Sequence, residues 1–172
     1  RRDHVGAFNA MGLRRPHKWP ELARAFAERK FLCAGISETW MTGTGRQELY
    51  DAESKVHLVY TGLDEKVSPA RGKWGVGFCL SPRAYKCWKQ SGQQLVTKSA
   101  RVVSIRFDLK DRNDRPMAFS HTHGYAMQQN ASAAEKSEFF SDLPACLATT
   151  QPKDFVVLTM DTNCSIGRMA PN

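Results

Sequence analysis

The 172-residue sequence predicts one domain built as an α/β or α+β sandwich, on three observations. Short apolar or alternating runs recur along the chain and dominate it; two segments of helical period stand between them; no internal repeat or low-complexity linker divides it. A composition of 41% hydrophobic and 24% charged residues excludes a disordered tail or a collagenous chain.

His4 to Asn9 reads as a short strand ending in a polar residue. Pro20 suits a first helical turn, and the helix predicted over Glu21 to Lys30 carries Leu22 and Phe26 four apart. Phe31 to Ile36 is a second apolar strand, closed by the polar group Ser37-Glu38-Thr39, and the Gly43 and Gly45 region reads as a loop. Strands follow at Val56 to Tyr60, Trp74 to Leu80 and Arg101 to Leu109, the last alternating Val103, Ile105 and Phe107 with Ser104 and Arg106. The charged turn Lys110 to Arg115 joins it to a strand over Pro116 to His123 as a hairpin. Ser132-Ala-Ala-Glu135 is a capping box that opens a helix with Phe139, Leu143 and Cys146 on one face, and Pro144 is expected to kink or end it. Phe155 to Leu158 is a fully apolar strand running into Asp161-Thr-Asn163.

No stretch approaches the roughly 18 apolar residues of a membrane span, and the opening Arg1-Arg2-Asp3-His4 lacks an initiator Met and an apolar signal core. The chain therefore reads as a cut, soluble domain with no membrane partner. Five cysteines with no CxxC pair read as free thiols of a reducing compartment, Cys33 and Cys79 as buried ones. The net charge of +8 is uneven: residues 71–115 hold eleven basic side chains against three acidic, with Trp74, Tyr85 and Trp88 among them. Such a block suits a polyanion, because Lys and Arg displace the counterions condensed on phosphates; a solvated sheet face is the other reading.

Three polar clusters close apolar strands: Asn9, Glu38, and Asp161 with Asn163. Strand ends gather ligand groups in open α/β sheets, and Mg²⁺ needs only one or two carboxylates because it keeps several waters. His121-Thr-His123 has metal-like spacing but lacks a third ligand, and Asp111 to Asp114 fits a hairpin turn better than a calcium loop.

These residues resemble the endonuclease/exonuclease/phosphatase superfamily over about His4 to Arg168. Phe8-Asn9 ends the first strand; Ile36-Ser37-Glu38-Thr39-Trp40 is similar to the family's metal motif, and Gly75-Val76-Gly77-Phe78 to its glycine-rich central strand. Gly124-Tyr125-Ala126 stands where the family has Y-x-P, and Val157 to Asn163 where it has G-D-x-N. Ser-Glu-Thr and the spacing of Ala133 to Leu143 look most like endonuclease domains of non-LTR retrotransposons, a group that includes craniofacial development protein 2-like proteins.

The resemblance implies a DNase I-like β-sandwich with flanking helices and cleavage of DNA phosphodiesters with Mg²⁺ or Mn²⁺, inside the cell and in the nucleus. It implies that Glu38 holds the metal with Asn9 supporting it, that Tyr125 donates to a phosphate oxygen, that Asp161 orients or deprotonates water, and that Asn163 binds phosphate. Lys86, Lys89 and Arg101 are the expected contacts to the DNA backbone. Met127 replaces the family's Pro, Thr159-Met160 its Gly, and Ala100 precedes Arg101 where relatives carry Asp. The family's closing C-terminal strands and Asp-His motif have no counterpart before Asn172, so residues 1–172 alone are expected to cleave weakly and to leave the Phe155–Leu158 strand with an open edge. An inactive nucleic-acid-binding remnant and a phosphatase of the same superfamily are the alternative readings.

Overall fold

Period-two alternation gives each strand two faces, and two sheets stacked on their apolar faces account for most of the buried side chains. The computed structural model describes residues 3–64, 66, 74–111 and 113–163. Its elements run β1 (His4–Asn9), α1 (Lys18–Glu28), β2 (Phe31–Ser37), β3 (Thr44–Tyr50), β4 (Lys55–Thr61), β5 (Val76–Leu80), α2 (Pro82–Gln90), β6 (Leu95–Ser99), β7 (Val102–Lys110), β8 (Pro116–Tyr125), α3 (Ala133–Leu147) and β9 (Phe155–Asp161). One sheet has the order β1-β2-β5-β4-β3 and the other β6-β7-β8-β9. The glycine-rich strand expected to be central is β5, the middle of the first sheet.

Phe78, Val103, Ile105, Phe107 and Phe119 fill the space between the sheets, and α2 adds Ala84 and Trp88 to it. On the outer face of the first sheet, α1 buries Ala23 and Phe26 against Ala34, Ile36, Leu49 and Leu58. On the second sheet, α3 lays Phe139 and Cys146 beside Val102. Ser132 caps α3 through the capping box read from sequence.

The two parallel strand pairs matter most for position. β1 runs parallel to β2 with Asn9 opposite Ser37, and β8 runs parallel to β9 with Tyr125 opposite Asp161. One pair lies in each sheet, the pairs face one another, and their carboxyl ends meet.

Several expectations are corrected. The Gly43–Gly45 loop is in fact a turn at Gly43 followed by β3, an edge strand with only Leu49 buried, so its polar sequence carries no apolar alternation to read. Helix α2, with Ala84 and Trp88 buried, and β6, half-buried except for the exposed Lys98, are both absent from the expectations read from sequence. Pro144 does not end α3, which runs to Leu147: within the last turn the ring forgoes one hydrogen bond while Cys146 stays fully buried. The apolar run Phe155–Leu158 is the expected open edge, since β9 pairs only with β8 among the described residues, and Phe155, Val156 and Leu158 are exposed.

The register of β9 is fixed from outside by a buried ion pair. Asp154, just before the strand, has a side chain 1% exposed. It accepts from Arg106 Nε at 2.9 Å and Nη2 at 3.0 Å, from the Ser120 hydroxyl at 2.8 Å and from the Gln151 amide at 3.0 Å. Removing the guanidinium strands a desolvated carboxylate, so Arg106→Leu is expected to cost about 3–5 kcal/mol in chemical denaturation. The loss of hydrogen-exchange protection should be concentrated in β9; uniform loss across both sheets would contradict this role.

Candidate active site

Each parallel strand ends in a polar side chain, and the four ends converge. Asn9 Nδ2 donates to Glu38 Oε1 at 2.8 Å and to Asp161 Oδ2 at 3.0 Å, so one amide nitrogen links a carboxylate from each sheet. Its carbonyl oxygen accepts from the Met11 amide at 2.9 Å, which fixes which way the amide faces. The Tyr125 hydroxyl donates to the same Glu38 Oε1 at 2.8 Å. Burial raises the Tyr125 phenol above its ordinary value and the Glu38 carboxylate adds to the rise, so the phenol keeps its proton and acts as a donor.

Backbone strain marks the same place. Along β2, Ala34 and Ile36 face α1 while Cys33, Gly35 and Ser37 face the other sheet. Glu38 breaks this alternation with a φ of 52°, and its carboxylate is turned to Asn9 and Tyr125. Trp40, Trp74 and Asn163 also have left-handed φ values, a conformation that costs a non-glycine residue about 1–3 kcal/mol. Gly75 supports the turn: at φ 84° a Cβ there would lie 2.4 Å from the Thr39 hydroxyl.

The donor set fits a hard divalent cation. Two carboxylates from different strands approach one point, and their sharing of a single amide leaves oxygen lone pairs free. Among the described residues no three His, Cys, Asp or Glu side chains cluster where they could hold a metal ion.

Of the expected residues, Asn9, Glu38, Tyr125 and Asp161 meet directly. Asn163 lies alongside: its side-chain amide donates to the Ala126 carbonyl at 2.8 Å and its backbone N–H to Asp161 Oδ1 at 3.3 Å. Arg101 is 7% exposed, its guanidinium 3.9 Å from the Trp74 ring, with Nη1 reaching the Tyr125 and Ala126 carbonyls at 3.4 Å. Its Nε has no partner among the described residues, and burial lowers its pKa. Arg101, Trp74 and Tyr125 border a cavity of about 420 Å³ that also meets Gln128 and Glu135. Lys86 and Lys89 do not join the site. They stand on α2, which follows Leu80, and Leu80 pairs with Cys33 at the opposite end of β2 from Glu38.

Sequence reasoning missed the polar layer beneath the site. His121 and His123, on alternate positions of β8, are fully buried between the sheets, with ring nitrogens against hydroxyl and thiol groups. Their spacing was legible; the Ser37, Thr159 and Cys33 partners, scattered over two other strands, were not.

The solved catalytic domain of Xenopus laevis APE2 matches this architecture with a TM-score of 0.53 over 98% of the chain. The fold is DNase I-like. Identity is 11%, and the chain spans 62% of the length of that domain. Neither a protein-family model nor a curated protein sequence matches the chain.

Burial pushes His121 down to about 3 and His123 to about 4, from an ordinary 6.5, so both rings are neutral in the fold. A histidine depressed in this way takes up protons on unfolding. Stability is therefore complete above pH 6.5 and falls as pH drops toward 4, by about 1.4 kcal/mol per pH unit for each ring. Urea midpoints measured between pH 7 and pH 5 should show this decline; a flat profile would mean the rings are solvated.

Proposed function

We propose that this chain carries the phosphodiester-cleaving site of a DNA endonuclease that works with Mg²⁺ or Mn²⁺, of the kind found in non-LTR retrotransposons and craniofacial development protein 2-like proteins. The observation that carries the reading is the Asn9 amide joining Glu38 and Asp161, with the Tyr125 phenol on Glu38. Two negative groups brought together at strand ends make a place for a cation and its waters.

Glu38 is the residue to hold the metal, with Asn9 keeping its carboxylate in place. A bound Mg²⁺ or Mn²⁺ supplies Lewis-acid polarisation of the phosphate and stabilises the leaving oxygen. Asp161 accepts a proton from the attacking water or orients it. Tyr125, protonated and already a donor, turns its hydroxyl from Glu38 to a phosphate oxygen as charge develops there. Asn163 offers its amide to the same phosphate in exchange for the Ala126 carbonyl. Arg101, which lines the polar cavity beside Tyr125, is the residue to meet a flanking phosphate.

DNA as the substrate is supported by charge near the site. The segment after Asn9 is tied to it by hydrogen bonds from Gly12 N–H to the Glu38 carbonyl and from Leu13 N–H to the Thr39 carbonyl, both 2.8 Å. That segment runs on into the exposed Arg14 and Arg15. Lys86 and Lys89, at the far end, reach only the distal part of a long duplex.

Glu38→Gln is expected to abolish Mg²⁺-dependent nicking of supercoiled plasmid while thermal unfolding is unchanged. Equal nicking by both proteins would overturn the assignment, and salt-dependent DNA binding without nicking in the wild type would favour the inactive-remnant reading. Reversing Arg14 and Arg15 to Glu should weaken binding to a short duplex and lower the salt slope by about one for each phosphate no longer neutralised. The Lys86→Glu, Lys89→Glu pair should weaken binding only to long duplexes.

A further inference from the structure

Directly beneath the strand ends, a line of polar groups crosses the interface between the sheets. Ser37 Oγ lies 2.9 Å from His123 Nε2, and His123 Nδ1 lies 2.9 Å from Thr159 Oγ1. Thr159 Oγ1 is also 2.8 Å from His121 Nε2, and His121 Nδ1 is 3.4 Å from Cys33 Sγ. Ser37 and Cys33 belong to the first sheet, the histidines and Thr159 to the second. Ser37, Cys33 and both rings are fully buried, and Phe78 lies 4.8 Å from the His121 ring and 6.4 Å from that of His123.

Three features make this line more than a satisfied patch of core. Its members stand next to the site: Ser37 precedes Glu38, His123 precedes Tyr125 by two residues, and Thr159 precedes Asp161 by two. The first sheet makes room for the ring with a glycine, since a Cβ on Gly35 would fall 2.3 Å from His123 Nδ1. The protons are also constrained. Thr159 has one hydroxyl proton and two rings on its oxygen, so at least one imidazole must donate to it, which couples the tautomers of His121 and His123.

Apolar contacts hold two sheets together without fixing their offset closely, whereas hydrogen bonds are directional and lose strength steeply when bent. Glu38 is carried by one sheet and Tyr125 and Asp161 by the other, so the offset of the sheets is the geometry of the site. We infer that His123 is a positioning residue: its imidazole, held between Ser37 and Thr159, locks the two sheets in the register that brings Glu38 to Tyr125 and Asp161. This rests on the phosphodiesterase reading above.

The test removes hydroxyls rather than the ring. Thr159→Val keeps the side-chain shape and should lower kcat by about 10- to 100-fold with KM for an oligonucleotide nearly unchanged, as misplacement of reacting groups by an ångström does. Ser37→Ala should act in the same direction from the other end of the ring, and Thr159→Ser should restore most of the rate. Leu58→Ala, a truncation on the α1 side of the first sheet, should lower Tm at least as much and leave kcat unchanged. Imidazole nitrogen NMR should show neutral, exchange-protected rings whose His123 resonances shift in both hydroxyl variants. Unchanged kcat in Thr159→Val and Ser37→Ala with that ring signature altered would overturn the inference, as would an equal loss of kcat in Leu58→Ala. If the wild type shows no Glu38-dependent cleavage, it is the phosphodiesterase reading that fails. The positioning role is then decided by calorimetric titration with Mn²⁺ alone: affinity about fivefold weaker in Thr159→Val supports it, and unchanged affinity overturns it.

Discussion

The amide nitrogen of Asn9 is bonded to carboxylates from both sheets, and the rest of the structure is arranged so that it can be. Two like charges brought together repel, and each must keep a donor if it is to stay in place. Asn9 and Tyr125 between them supply those donors. The parallel pairing of β1 with β2 and of β8 with β9 brings all four carboxyl ends to the same rim. An antiparallel partner in either pair would send one end to the far side of the sandwich.

Where the site was legible in the sequence, it was legible because its residues sit at the ends of strongly apolar strands. Phe31 to Ile36 and Phe155 to Leu158 are unmistakable runs, so the polar residues after them stand out. Asn9 and Tyr125 needed the resemblance as well, since a strand-terminal Asn or a sheet Tyr is common for ordinary reasons of turn chemistry and packing. The placement of Lys86 and Lys89 was not legible. Charge density along a chain says nothing about which end of a sandwich a segment occupies, and α2, which decides it, has only two buried residues.

The polar layer under the site illustrates a second limit. His121 and His123 share a face by alternation, which is visible, but one spacing serves equally for metal ligands, solvent-facing polar residues and buried hydrogen-bonded rings. What separates these cases is what lies opposite, and Ser37, Cys33 and Thr159 come from strands distant in the chain. The fold class emerged from local patterns because alternation and capping are local. The register of one sheet over the other did not, because it involves pairs such as Ser37 with His123, whose members stand 86 residues apart in the chain.

The left-handed backbone of Glu38 has a consequence for how such a chain changes over time. A glutamate at φ 52° is held in a conformation that glycine adopts freely and asparagine tolerates well. The residue that the site most needs is thus one that the fold, left to itself, would exchange. Selection for a longer-lived protein and selection for a working site pull this single position in opposite directions. On the proposed phosphodiesterase reading, a lineage released from the need to cut would drift first toward Gly or Asn at position 38, becoming sturdier as it became silent.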